Sequence, residues 1–81
     1  MKLRVKLFAV ARQRVGREAI EIELPEAASV RQLRGAIAEQ YPPLADVLAH
    51  VRFAVNSDYA SDATPIPAAA EVAIIPPVSG G

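Results

Sequence analysis

The chain's 81 residues allow a single domain, and a chain this short buries only roughly 60% of the surface its unfolded form exposes. Nine Lys and Arg balance nine Asp and Glu, which argues against a nucleic-acid partner, because phosphate neutralisation needs a net basic footprint or face. Cysteine is absent and His50 is the only histidine, so disulfides, thiolate metal sites, a thiol nucleophile and a His-built metal site are all set aside.

Leu3, Val5 and Leu7 alternate with Lys2, Arg4 and Lys6, the period of a strand with one buried face. Ile20, Ile22 and Leu24 alternate with Glu21 and Glu23 in the same way. Side by side, a cationic and an anionic outer face attract. An opening hairpin is predicted, with Ala9 to Glu18 as its loop and Gly16 supplying an unusual backbone angle. Ser29-Val30-Arg31-Gln32 has the form of a capping box and opens a helix. Its apolar stripe is Val30, Leu33, Ile37 and Tyr41, with Arg31, Arg34 and Glu39 outside it. Pro42-Pro43 ends that helix, and Leu44 to Leu48 adds a short helical turn.

Val51, Phe53 and Val55 mark a third strand. Asn56-Ser57-Asp58 is turn chemistry, and Tyr59-Ala60 returns as a brief edge strand. Ser61 to Ala70 is a loop in which Ile66, between Pro65 and Pro67, plugs the core. Asp58 and Asp62 read as turn residues, and Tyr41 and Phe53 as core. Val72-Ala73-Ile74-Ile75 is apolar on both faces, as a strand in the middle of a sheet must be. The order predicts an α+β domain of β-grasp, ubiquitin-like type, a mixed sheet packed on one main helix. It spans residues 1–77, and residues 78–81 form a flexible tail. No apolar run approaches the roughly 20 residues of a membrane span, and the first residues lack the apolar core of a signal peptide. The expected location is cytoplasmic, with no membrane partner.

No internal motif matches a phosphate loop, a catalytic triad or a metal box, so most of the chain reads as scaffold. Two features do not. Pro76-Pro77 stiffens the exit from the last strand, and Val78, Ser79, Gly80 and Gly81 follow with small or slim side chains. Fully extended, those four residues reach roughly 13–14 Å. Such an end fits a narrow channel in a partner and presents the Gly81 carboxylate to a nucleotide, where activation as an acyl-adenylate makes it transferable. The second feature is Phe8, in phase with the wet face of strand one. It either tucks under the bending strand or serves as an aromatic anchor for a partner, with Arg12 close enough to share the interface.

The chain resembles the ubiquitin-like sulfur-carrier family that includes the small subunits of molybdopterin synthase. The likeness is carried by Glu71-Val72-Ala73-Ile74-Ile75-Pro76-Pro77-Val78-Ser79-Gly80-Gly81, by Val5-Lys6-Leu7-Phe8-Ala9 with Arg12 and Val15-Gly16, and by Ala54-Val55-Asn56. Where that family has Gly-Asp before the Glu-Val-Ala segment, this chain has Ala69-Ala70, so a glycine-dependent turn is not expected there. The resemblance implies a cycle. A ubiquitin-activating-like adenylyltransferase spends ATP to adenylate Gly81, and a sulfurtransferase donor converts the end to a thiocarboxylate. The tail then enters the large subunit and gives sulfur to cyclic pyranopterin monophosphate. Gly80, Ser79 and Val78 would thread the channel, Phe8, Arg12, Pro76 and Pro77 would bind the partner, and catalytic side chains would belong to the large subunit. No metal and no bound cofactor are implied. A carrier for thiamine, tRNA thiolation or amino-acid synthesis, and a ubiquitin-like protein modifier, share the fold and the Gly-Gly end.

Overall fold

Alternating charge at the start of the chain produces β1, Lys2–Lys6, with Leu3 and Val5 buried and the three cations exposed. The structure, a computed structural model, describes residues 1–76. β2, Ala19–Glu23, pairs antiparallel with β1, placing Lys2 opposite Glu23 and Arg4 opposite Glu21. The predicted charge pairing across the hairpin is therefore present, with Lys2 Nζ 3.8 Å from Glu23.

The connection between those strands is not a plain loop. It holds α1, Ala9–Val15, entered at Ala9 with φ 51° and closed by Gly16 in the left-handed conformation at φ 76°. The Gly16 N–H donates to the Arg12 carbonyl, satisfying one of the carbonyls a helix end leaves open. α1 is short and buries only Ala11 fully, so it leaves little apolar periodicity to read.

α2, Val30–Gln40, opens on the capping box: the Gln32 N–H donates to Ser29 Oγ and the Ser29 N–H to Gln32 Oε1. Val30, Leu33 and Ile37 are buried against the sheet, and Tyr41, partly buried, caps the end. Two 3₁₀ turns follow, Pro42–Leu44 and Val47–His50, and they bury Leu44 and Leu48. β3, Arg52–Val55, joins β4, Asp58–Ala60, through Asn56 and Ser57 at φ 51° and 72°, the two left-handed central residues of a type I′ turn. β5, Val72–Ile75, lies between β1, to which it is parallel, and β3, to which it is antiparallel. The sheet order is β2-β1-β5-β3-β4. Five strands in this mixed order, with α2 across one face, make the β-grasp fold expected from the sequence.

Two local expectations, at Ala69 and Asp62, need correction, and Arg34 does more than its position foretells. Ala69 takes φ 59°, the left-handed conformation a glycine would occupy more cheaply, so the turn before β5 keeps that geometry with alanine. Arg34 lies outside the apolar stripe yet is mostly shielded. Its guanidinium donates to the carbonyls of Leu48 and Val51, pairs with Asp62 at 2.9 Å, and stacks 4.9 Å from the centroid of Phe53. Asp62 is accordingly a structural partner rather than a simple turn residue: its carbonyl also accepts from the Arg31 N–H. One arginine thus ties α2 to the segment before β3 and to the loop after β4. Ile66 is buried within that loop, as predicted.

Candidate docking face and the exit of the last strand

Because α2 covers the inner face of the sheet, the outer face presents the alternate residues of every strand. The register arranges them in rows. Lys2 with Glu23, and Arg4 with Glu21, occupy the end where β1 begins. Farther along, Lys6 stands beside Ala73, and Ala73 beside Ala54, which faces Tyr59 across β3 and β4. Beyond them Ile75 is paired with Arg52. β1 and β5 run parallel, so Phe8, two residues past Lys6, leaves its strand at the same end as Ile75 and Pro76.

Phe8 is 44% exposed and Tyr59 65% exposed. The tucked alternative for Phe8 is excluded: Ala9, by taking positive φ, turns the chain into α1 and leaves the ring outward. Arg12 lies one helical turn beyond Phe8, and its guanidinium binds Glu18 at 3.1 Å. Pro76, partly buried, continues directly from β5. Pro77, Val78, Ser79, Gly80 and Gly81, assigned to partner binding, tail insertion and the reacting end, lie outside the described residues. Of the predicted site residues, Phe8 and Pro76 therefore come to one end of the sheet, with Arg12 on the adjoining helix.

Sequence reading missed Tyr59 as part of this face, having placed it only as an edge-strand residue. The Arg52 guanidinium sits 5.6 Å from its ring centroid, and the alternation Arg52, Ala54 against Phe53, Val55 was the available signal. It also missed the clamp at the head of β5. Asn56 Oδ1 accepts from the Glu71 N–H at 2.9 Å, and the Asn56 N–H donates to the Glu71 carbonyl at 2.7 Å. Beside that clamp a hollow of about 150 Å³ is floored by Ala54 and Ala73 and flanked by Lys6, Ser57 and Glu71. Small-molecule sites usually run from about 300 Å³ upward, so this hollow suits one side chain of a partner better than a substrate. Among the described residues, no three His, Asp or Glu side chains are grouped closely enough to hold a metal ion. None of the described helices is long and apolar enough to cross a membrane.

The model of the ThiS family matches residues 5–81. The chain belongs to the ThiS family. Among its relatives, the molybdopterin synthase sulfur carrier subunit of Arabidopsis thaliana is 31% identical over 81 residues, covering 100% of this chain and 84% of the relative. The subunit of the same name from Caenorhabditis elegans is 34% identical over 83 residues, covering 100% and 99%. Of solved structures, SAMP1 (small archaeal modifier protein 1) from Haloferax volcanii superposes with a TM-score of 0.85 at 26% identity and covers 100% of both chains. For a ThiS-family chain the matched span includes β5, Pro76 and the Gly-Gly end, together with Phe8 and Arg12.

Proposed function

We propose that this chain is the sulfur carrier subunit of a molybdopterin synthase, acting through the terminal carboxylate of Gly81. The observation that carries the reading is full-length identity of 31–34% to relatives bearing that name. In the proposed cycle the carboxylate attacks ATP on a ubiquitin-activating-like adenylyltransferase, releasing pyrophosphate. A donor at the oxidation level of sulfide then displaces AMP to leave a thiocarboxylate. The tail, Val78 to Gly81, enters the large subunit, where sulfur passes to cyclic pyranopterin monophosphate and hydrolysis returns the carboxylate. Location in the cytoplasm belongs to the same proposal.

The body supplies position. β5 is hydrogen-bonded on both sides and pinned at its head by Asn56, so Pro76 leaves from a strand held firmly within the sheet. Phe8 and Tyr59 flank that exit as aromatic surface of the kind enriched at binding hot spots.

The test is to incubate the chain with the adenylyltransferase, ATP and a sulfide source, read its intact mass, then add the large subunit and precursor. The expected product is one sulfur in place of one oxygen at Gly81, followed by molybdopterin. Deleting Gly81 moves the carboxylate back by up to about 3.5 Å, against a tolerance of about 1 Å for a positioned reacting group. That variant should keep its thermal midpoint and form no molybdopterin; formation at the wild-type rate sinks the reading. The likeness to SAMP1 favours one second reading, a protein modifier, which predicts isopeptide remnants of Gly81 on lysines of other proteins instead.

A further inference from the structure

The outer face of the sheet is electrostatically divided. At the end where β1 begins, each outward cation of β1 faces an outward carboxylate on β2, Lys2 with Glu23 and Arg4 with Glu21. Glu71, just before β5, adds a third carboxylate to that half, lining one cleft with Lys2, Arg4, Glu21 and, at its far side, Lys6. Toward the exit end the strands themselves add no further outward acid, and Glu71 borders the Ala54–Ala73 hollow only from its far side. Lys6 faces Ala19 across β1 and β2 and Ala73 across β1 and β5, and Arg52 faces Ile75. Among the described residues, no Asp or Glu takes an outward register position in these last two rows. Neither Lys6 nor Arg52 makes an ion pair with another described residue. Glu18, just before β2, is taken by Arg12.

We propose that this exit half is a cationic docking face whose occupant is a protein surface with carboxylates set around an apolar patch. The inference rests on the functional reading above and names the partner as the large subunit of the synthase. Charge complementarity carries it. Lys6 and Arg52, neither ion-paired to a described residue, stand on two sides of a low apolar floor of Ala54 and Ala73, with Glu71 at its far edge and the Phe8 and Tyr59 rings at its margins, Arg52 lying against Tyr59. A partner with apolar groups alone would leave both charges desolvated without compensation, which is costly. Carboxylates opposite Lys6 and Arg52 would pair them and steer the approach, bringing the tail to its channel in one orientation. The half whose cations already face carboxylates adds less pull, which favours the exit end as the one that meets the partner.

The test measures association of the full chain with the large subunit from the same genome, at low and at moderate salt. Lys6→Glu and Arg52→Glu should each weaken association on the order of tenfold at low salt, mainly by slowing kon, and should flatten its salt dependence. Arg31→Glu makes the same change in net charge on the exposed side of α2 and should stay within about twofold of wild type. If a reversal lowers the thermal midpoint, Lys6→Gln and Arg52→Gln carry the test, with a smaller loss in the same order. Wild-type binding that is indifferent to these changes, or equally sensitive to Arg31→Glu, overturns the docking proposal and leaves the carrier reading standing. Intact large-subunit binding with adenylation lost would assign the cations to the activating enzyme and also overturn it. No binding of the wild-type chain overturns both.

Discussion

The chain's two phenylalanines stand in opposite regions. Phe53, in the middle of β3, is fully buried beneath the Arg34 guanidinium, whereas Phe8, at the end of β1, is 44% exposed. The same side chain serves packing in one place and an open surface in the other, and strand phase decides which. Because a strand's alternate residues point to opposite faces, one set of strands builds a core on the α2 side and a docking face on the other. Stability and recognition therefore separate by parity along the chain, and substitution can address one without the other.

The largest effect should come from Phe53→Ala. Truncating a buried phenylalanine costs about 3–5 kcal/mol, against a total of roughly 4–12 kcal/mol for a domain of this size. Chemical denaturation should show most of the stability gone. Phe8→Ala should do the reverse. Calorimetry with the large subunit should show a loss of about 2 kcal/mol in binding, while unfolding free energy falls by well under half the Phe53 loss. A drop of 3 kcal/mol or more in Phe8→Ala stability would erase the contrast.

A smaller effect sharpens the comparison by leaving both faces untouched. Ala69 holds a left-handed backbone before β5, a conformation that costs an alanine roughly 1–2 kcal/mol. Ala69→Gly removes that strain but adds freedom to the unfolded chain. The net should be a gain of up to about 1 kcal/mol in denaturation, with binding unchanged. Loss of stability would mean the turn is not strained.

The smallest concerns the tether of α1. Arg14 donates to the Asp46 carboxylate and to the Pro43 carbonyl. Its hydrogen bond lowers the pKa of the Asp46 carboxyl from its ordinary value, against an opposing effect of desolvation and with help from the guanidinium charge. A carboxyl depressed in the folded state stabilises above its unfolded pKa, and that contribution disappears as pH falls through the folded pKa. Carboxyl titration by NMR should place Asp46 low in the wild type and return it toward its ordinary value in Arg14→Ala. An unchanged titration would show that the pair does not persist in water.

Much of this architecture was legible because it rests on period and on short motifs. The alternation of Lys2 to Leu7 and of Ile20 to Leu24, the Ser29–Gln32 box and the two-sided apolar run Val72–Ile75 each specify an element by themselves. α1 was not legible, since Ala9–Val15 spans seven residues and fully buries one of them, too few for a stripe. The partners of Arg34 were not legible because periodicity states which way a side chain leaves a helix and not which carbonyls wait there. In the candidate site, the outward phase of Phe8 could be read, but the rows joining it to Ile75, Arg52 and Tyr59 depend on β5 entering between β1 and β3. That crossover brings together residues distant in sequence, which no local pattern encodes.

The late arrival of the middle strand has a consequence for synthesis. Of the described strands β5 is made last, yet it is the one paired with both β1 and β3. Until it emerges from the ribosome, the two hairpins have no common seam and the inner face stays open to solvent. Such non-local pairing also makes closure slow compared with local hairpin formation. A chain cut short before residue 72 would expose its apolar interior and be prone to clearance or aggregation. No chain still lacking β5 can therefore offer a finished docking face to a partner.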